Sequence, residues 1–175
     1  MRRWMKLLTV CVAAALVLTG SSVAHAQSNQ ASITATANVL APISIAGDND
    51  LDFGTVFPGI NKPIAYTDLT NGGHWSISGA TGREVDLTFN LPLTLASGGD
   101  NLTIAFGANA AARNTSDVVG GATTFDPSAV ETAFLSGGAP GELFVWIGGE
   151  VQPTVGQPGG TYTGTITLTI DYTGN

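Results

Sequence analysis

Apolar and polar residues alternate without a break from Thr161 to Tyr172, in the sequence TYTGTITLTIDY. One face of this segment carries Tyr162, Gly164, Ile166, Leu168, Ile170 and Tyr172. A two-residue period rich in β-branched residues predicts a strand, and apolar residues on one face only indicate an antiparallel sheet packed on a second sheet. At roughly 3.3 Å per residue, such a strand would be about 40 Å long. We therefore expect the domain to pack around its last strand.

A second alternating segment, Ala31–Val39 (ASITATANV), lies near the start of the chain. Its apolar face carries Ile33, Ala35, Ala37 and Val39, and its other face carries serine, threonine and asparagine. Pro42 follows, and proline removes a backbone donor that a sheet needs. The pattern predicts a strand with small side chains on its apolar face.

Several shorter segments also predict strands, separated by glycine-rich and asparagine-rich turns. They are Leu51–Phe57, Ile64–Leu69, Trp75–Ser78, Val85–Phe89, Leu102–Phe106 and Leu143–Ile147. The last of them is a continuous apolar run rather than an alternating one, which indicates a strand buried on both faces or nearly so. Residues 47–50 (GDND) are expected to form a turn, and residues 107–121 a long surface loop. Roughly seven to nine strands with frequent turns and no helix predict an all-β fold. The expected architecture is an antiparallel β-sandwich of immunoglobulin-like, pilin-like or jelly-roll type, with a closed barrel as the alternative.

The first 26 residues have the pattern of a secretory signal peptide. Arg2, Arg3 and Lys6 precede the apolar run Leu7–Leu18, and the small-x-small sequence at residues 24–26 predicts cleavage before Gln27. The expected mature chain, residues 27–175, is a single domain without cysteine, because Cys11 is removed with the signal. We expect a protein secreted to the periplasm or cell surface of a bacterium, with no membrane span after cleavage.

The charge of residues 27–175 is strongly negative. Lys62, Arg83 and Arg113 are its three basic residues, against 13 acidic ones, which gives a net charge of −10. Nucleic acid and anionic lipid are therefore poor partners, because neither phosphates nor lipid headgroups would be neutralised.

Residues for catalysis or metal binding are scarce. His74 is the single histidine of residues 27–175, and no G-x-S-x-G sequence accompanies it, so a serine triad is disfavoured. The acidic stretch Asp48–Asp52 lacks the glycine and glutamate positions of a calcium loop and is better explained as a solvated turn. We therefore expect a protein that is not an enzyme, with no catalytic residue, no metal site and no cofactor.

Exposed aromatic side chains could bind a glycan by stacking, and Trp75 is the candidate. Because Trp75 alternates with Ile77, packing in the core is the stronger expectation for its side chain.

Six segments together resemble a family of secreted bacterial β-domains, the domain of unknown function numbered 4402. They are ATANVLAPISI, LDFGTV, GGHWSISG, VDLTFNLPLTL, LFVWIGGEV and GGTYTGTITLTIDY, which span nearly the whole of residues 27–175. The ending is also similar to those of spore-coat-U-like and fimbrial-subunit-like domains. The resemblance implies a secreted β-sandwich related in style to surface-appendage subunits, and it implies no activity for any residue.

Three functions are compatible with these patterns. The favoured one is a structural subunit of a filament, coat or matrix, whose partners are itself or related subunits and whose N-terminal strand is added to a neighbour's sheet. The alternatives are a carbohydrate- or surface-binding module and, least favoured, a secreted enzyme. The sequence leaves open whether Ala31–Val39 pairs within its own domain.

Overall fold

The computed structural model describes residues 29–174, and every regular element in that part of the chain is a β-strand. Contacts divide the chain between Asn38 and Val39, so residues 29–38 are described apart from the larger unit that follows. The predicted signal peptide lies outside the described residues. The antiparallel all-β architecture confirms the fold class predicted from the alternating pattern.

Twelve strands are present in the described residues, more than predicted because several are only three or four residues long. In chain order they are β1 (Ser44–Asn49), β2 (Lys62–Ile64), β3 (Gly73–Gly79), β4 (Glu84–Asn90), β5 (Thr94–Ser97), β6 (Asp100–Ala105), β7 (Ala111–Asn114), β8 (Thr123–Phe125), β9 (Glu131–Phe134), β10 (Gly141–Ile147), β11 (Gly149–Gln152) and β12 (Thr167–Tyr172). Sheet 1 has the order β1-β3-β10-β7-β8, sheet 2 the order β2-β11-β6-β5, and sheet 3 the order β12-β4-β9.

Sheets 1 and 3 form a sandwich around one apolar layer, which we call the main core cluster. Its buried members are Ile77, Val85, Leu87, Ala111, Phe125, Ala133, Leu135, Leu143, Val145, Ile147 and Leu168. Alternate residues of β4, β10 and β12 supply it, so the two-residue period of the sequence is the direct cause of this layer. Each fully buried valine or leucine contributes roughly 1.5–3 kcal/mol through the hydrophobic effect.

Sheet 2 covers a smaller apolar layer, the second core cluster. Its buried members are Phe53, Leu102, Ile104 and Val151. Phe53 comes from the segment after β1, and Leu102 and Ile104 alternate along β6. Half-buried side chains, including Leu95 and Tyr162, complete this layer at its margin.

Residues 29–43, which include the predicted strand Ala31–Val39, take part in no strand. The strand prediction is wrong for the isolated chain, because alternation gives a segment a strand-like pattern but backbone pairing needs a partner. Residues 47–50, predicted to form a turn, lie mostly within β1, which pairs with β3 through a bulge between Gly47 and Asn49.

The predicted twelve-residue last strand is regular only from Thr167 onward. In its first half Thr163 bonds to Ala96 of β5, so the chain passes from sheet 2 to sheet 3. Gly164 lies so close to β5 that a Cβ there would be 2.7 Å from Leu95. The alternation persisted across a change of sheet, which periodicity alone does not reveal.

Two further expectations are corrected. Leu51–Phe57 is not a strand, because the Asp52 carboxylate accepts a bond from the Gly54 backbone and Gly54 has a positive φ of 55°. Part of the loop predicted at residues 107–121 is β7, whose Ala111 and Ala112 are fully buried beside β10. Tertiary pairing with β10 overrides the weak strand propensity of alanine.

Candidate functional site

The residues of the proposed donor face are exposed in the structure. Ile33 is 97% exposed and Val39 is 91% exposed, and Ala35 and Ala37 are exposed between them. Isolated exposed apolar residues are common, whereas four at alternate positions would share one face if the segment were extended as a strand. The segment has no strand partner in the part of the chain that the structure describes.

The connection between this segment and β1 is fixed to the last strand. The Tyr172 hydroxyl donates to the Ala41 carbonyl oxygen at 2.9 Å and accepts from the Ala80 backbone N–H at 2.7 Å. Gly79 makes this possible, because a Cβ there would be 2.6 Å from the same hydroxyl oxygen. Tyr172, the last residue of β12, thus connects that strand to the segment before β1 and to the residue that follows β3.

An open groove of about 940 Å³ runs over the second core cluster. One wall is β1 with the segment up to residue 58, and the other is the segment 158–166 before β12. All four buried members of the second core cluster line it, together with Trp75, Leu95 and Ile166. The groove is therefore an incompletely covered part of the apolar interior.

One edge strand lines this groove, and a second edge strand begins directly after the lining residue Ile166. β1 is the outer strand of sheet 1 and pairs only with β3, and β12 is the outer strand of sheet 3 and pairs only with β4 within the described residues. An edge strand presents backbone N–H and C=O groups that can accept another strand. β1 thus combines an edge without a strand partner in the described residues with two residues, Gly47 and Asn49, that line the groove.

The first wall is held in place by the turn between β2 and β3. The Asn49 amide donates to the Gly72 carbonyl at 2.7 Å, and the Asp52 N–H donates to the Asn71 carbonyl at 2.8 Å. Asp68 organises that turn. Hydrogen bonds from the Asn71 side chain and from backbone N–H groups of the turn hold the pKa of the Asp68 carboxyl below its usual value.

Trp75 is half-buried at the base of the groove. It packs against the main core cluster, and its ring meets Phe89 edge-on with centroids 5.6 Å apart. Gly47 lies beside the indole, and an ideal Cβ on Gly47 would be 3.7 Å from the indole nitrogen. Most of the Trp75 side chain, the candidate for glycan stacking, is thus in packing contacts, and part of its surface lines the groove.

His74 lies on the opposite face of sheet 1, between two carboxylates. Its Nδ1 is 3.6 Å from Asp48 and its Nε2 is 3.4 Å from Asp117, and its ring stacks on Trp146 with centroids 5.0 Å apart. Ser76 bonds to Asp48 rather than to His74. A serine nucleophile must contact the histidine that acts as its base, and the Ser76 hydroxyl contacts Asp48 instead.

The carboxylates of Asp48–Asp52 do not converge on one point. Asp48 faces His74 and Ser76, whereas Asp52 bonds to the Gly54 backbone. Within residues 29–174, no group of three or more histidine, cysteine or acidic side chains could hold a metal ion. No helix in the same part of the chain is long and apolar enough to cross a membrane.

The sequence did not identify the groove. Gly47, Leu95 and Ile166 belong to elements that are far apart along the chain, and they meet only because the last segment changes sheets. The unbroken alternation of Thr161–Tyr172 contained no signal of that change. Neither a protein-family model nor a curated protein matches the chain.

Proposed function

We propose that this chain is a non-enzymatic structural subunit of a bacterial surface filament, coat or matrix. It assembles by adding its N-terminal segment, residues 31–39, to the sheet of another subunit. The observation that carries the proposal is the exposed, strand-like segment with its apolar face at Ile33, Ala35, Ala37 and Val39.

Strand addition accounts for both properties of the segment. A strand gains main-chain hydrogen bonds when it joins an edge, and its alternate side chains fill pockets on the receiving sheet. The alanines of the apolar face are small enough to lie close to a neighbouring sheet, and Ile33 and Val39 supply larger contacts at its ends. Residues 29–43 carry no charge that would have to be buried.

The resemblance to family 4402 and the predicted signal peptide support a role outside the cytoplasm. Both remain predictions. The acidic composition agrees with this assignment, because a net charge far from zero keeps subunits soluble before assembly.

The test compares two double variants of residues 27–175 that add the same charge to opposite faces of the segment. Ala35→Asp with Ala37→Asp alters the apolar face, whereas Thr34→Asp with Thr36→Asp alters the polar face and is the control. We expect polymers, measured by light scattering and electron microscopy, for the unmodified chain and the control but not for the first variant. Equal behaviour of all three chains would overturn the proposal.

A carbohydrate- or surface-binding module is the second candidate. It is favoured by the position of Trp75 in a groove whose rim carries polar residues such as Asn49 and Thr161. A glycan screen with the unmodified chain and Trp75→Phe tests it, because phenylalanine retains an aromatic ring for the core. Binding of a glycan by monomers would favour this candidate over assembly.

A further inference from the structure

We infer that the groove beside β1 is the acceptor site, and that its occupant is residues 31–39 of a second copy of this chain. The inference rests on the proposed function, since it names the place where the donated segment binds. It assigns the groove residues Gly47, Trp75, Leu95 and Ile166 a role in binding an extended peptide.

The segment is long enough to pair along the whole edge of β1. Nine extended residues span about 30 Å, and the six residues of β1 provide an edge of about 20 Å. A strand added beside β1 would place every second side chain over the groove, which is the spacing of the apolar face. Its other face, of threonine, serine and asparagine, would remain in water.

The absence of a side chain at Gly47 determines how closely a donated strand can approach the Trp75 ring. It is exposed on β1 beside the Trp75 indole, and it has no side chain to cover that ring. Small residues such as Ala35 and Ala37 could lie over the indole, where a larger side chain on β1 would exclude them. A glycine within a strand often marks such a close approach of another backbone.

Charge also favours this occupant. The first wall carries the carboxylates of Asp50 and Asp52. The uncharged segment can bind without burying a charge, whereas a carboxylate on the face turned to the groove would be buried beside these groups and repelled. A carboxylate on the other face of the segment would remain in water. Donor and acceptor lie in different parts of one chain, so the contact is head-to-tail and leads to an open chain of subunits.

The first experiment fills the groove. In Gly47→Leu the added Cβ makes an ordinary contact with Trp75, and Gly47 does not have a positive φ, so the strand can tolerate the change. The matched control is Gly120→Leu on an exposed loop, where a Cβ meets nothing within 4 Å. We expect loss of polymers for Gly47→Leu alone, with circular dichroism confirming that both variants fold.

Mixing the groove variant with the donor variant tests the donor segment and the groove separately. Gly47→Leu keeps its donor segment, and the Ala35→Asp, Ala37→Asp chain keeps its groove, so together they should form a heterodimer and nothing longer. If Gly47→Leu polymerises like the unmodified chain while the donor variant does not, the acceptor site is wrong and the proposed function stands. If the donor variant polymerises, the proposed function itself fails.

A disulfide test remains informative even if Gly47→Leu does not fold. Residues 27–175 contain no cysteine, so chains with only Ala35→Cys can be mixed with chains carrying only Gly47→Cys. We expect a disulfide-linked heterodimer under mild oxidation, and none when Gly120→Cys replaces Gly47→Cys. Absence of the link overturns the inference. So does a link formed only inside one chain carrying both Ala35→Cys and Gly47→Cys, because the segment would then occupy its own groove.

Discussion

The two apolar layers of the larger unit differ in how fully the surrounding sheets enclose them. The main core cluster is enclosed by sheets 1 and 3, and Val85, Leu87, Leu143 and Val145 have no exposed surface. The second core cluster has four buried members, and a groove of about 940 Å³ runs along all of them. The same chain thus builds one closed layer and one layer that is open along a sheet edge.

We infer from this difference that the closed layer mainly stabilises the fold and that the open layer takes part in assembly. A closed layer gains the full benefit of burial, whereas an open one retains apolar surface that a further strand can cover. The Tyr172 bonds lie at the end of the closed layer, and the Tyr162 bonds lie at the rim of the open one. Matched substitutions in the two layers therefore test the distinction.

The largest effect is expected in the closed layer. Leu143 on β10 is fully buried, so Leu143→Ala should lower the free energy of unfolding by about 2–5 kcal/mol, because it removes apolar contacts and leaves a cavity. Urea unfolding followed by circular dichroism measures it. Leu93→Ala, at a residue that is 83% exposed, is the control and should change stability by less than about 0.5 kcal/mol. Similar losses for both would show that the layer is not closed.

The same truncation in the open layer should cost less. Leu102 is 5% exposed. We expect Leu102→Ala to lower the free energy of unfolding by about 2 kcal/mol, the lower end of the range for such truncations, because residues of the groove can shift into the cavity that it leaves. The measurement is the same urea titration, made on the Ala35→Asp, Ala37→Asp chain to exclude any effect of assembly. A loss as large as that of Leu143→Ala would abolish the distinction between the layers.

Two tyrosine hydroxyls allow a finer comparison. Tyr172→Phe removes the bonds to Ala41 and Ala80 and should lower the free energy of unfolding by about 1–2 kcal/mol. Tyr162→Phe removes bonds to Gln157 and Pro158 near the groove, where water can replace them, and should cost less than about 1 kcal/mol. Thermal or urea unfolding of both variants measures the two losses of stability. A larger loss for Tyr162→Phe than for Tyr172→Phe would contradict the prediction.

The sequence predicted the closed layer far better than the open one. The alternation in Val85–Phe89 corresponds to β4, and the continuous apolar run Leu143–Ile147 corresponds to β10, whose last three residues are all buried. Both patterns are local, and each element remains in one sheet. The open layer depends on a change of sheet at Thr163 and on the bond between Asp52 and Gly54. These are contacts between or within irregular segments, and they have no period to detect.

For the same reason the donor face could be proposed from the sequence and its acceptor could not. A strand-like segment is a local pattern, visible at Ala31–Val39 without knowledge of the rest of the chain. A groove is a property of three elements brought together. The tryptophan at its base was recognised in the sequence, but its neighbour Gly47 was assigned to a turn.

The smallest effect concerns the turn that supports the groove wall. Asp68 accepts bonds from the backbone N–H groups of Thr70 and Asn71 and from the Asn71 amide, and these bonds lower the pKa of its carboxyl below the ordinary value of 3.8. A carboxyl whose pKa is lower in the folded state stabilises the fold above 3.8, and this contribution is lost as the pH falls through the folded-state pKa. Asp68→Asn should therefore be slightly less stable than the unmodified chain at neutral pH, with the difference narrowing in acid.

Urea midpoints of both chains, measured at several pH values from neutral to below 3.8, test this dependence. Asp100→Asn, at the exposed first residue of β6, is the matched control for the loss of one carboxylate. A difference that stays constant with pH would mean that the charge of Asp68 does not hold the turn. If Asp68→Asn also weakens assembly at neutral pH while Asp100→Asn does not, the wall formed by Asn49 and Asp52 is part of the acceptor, as the bonds from that turn to both residues imply.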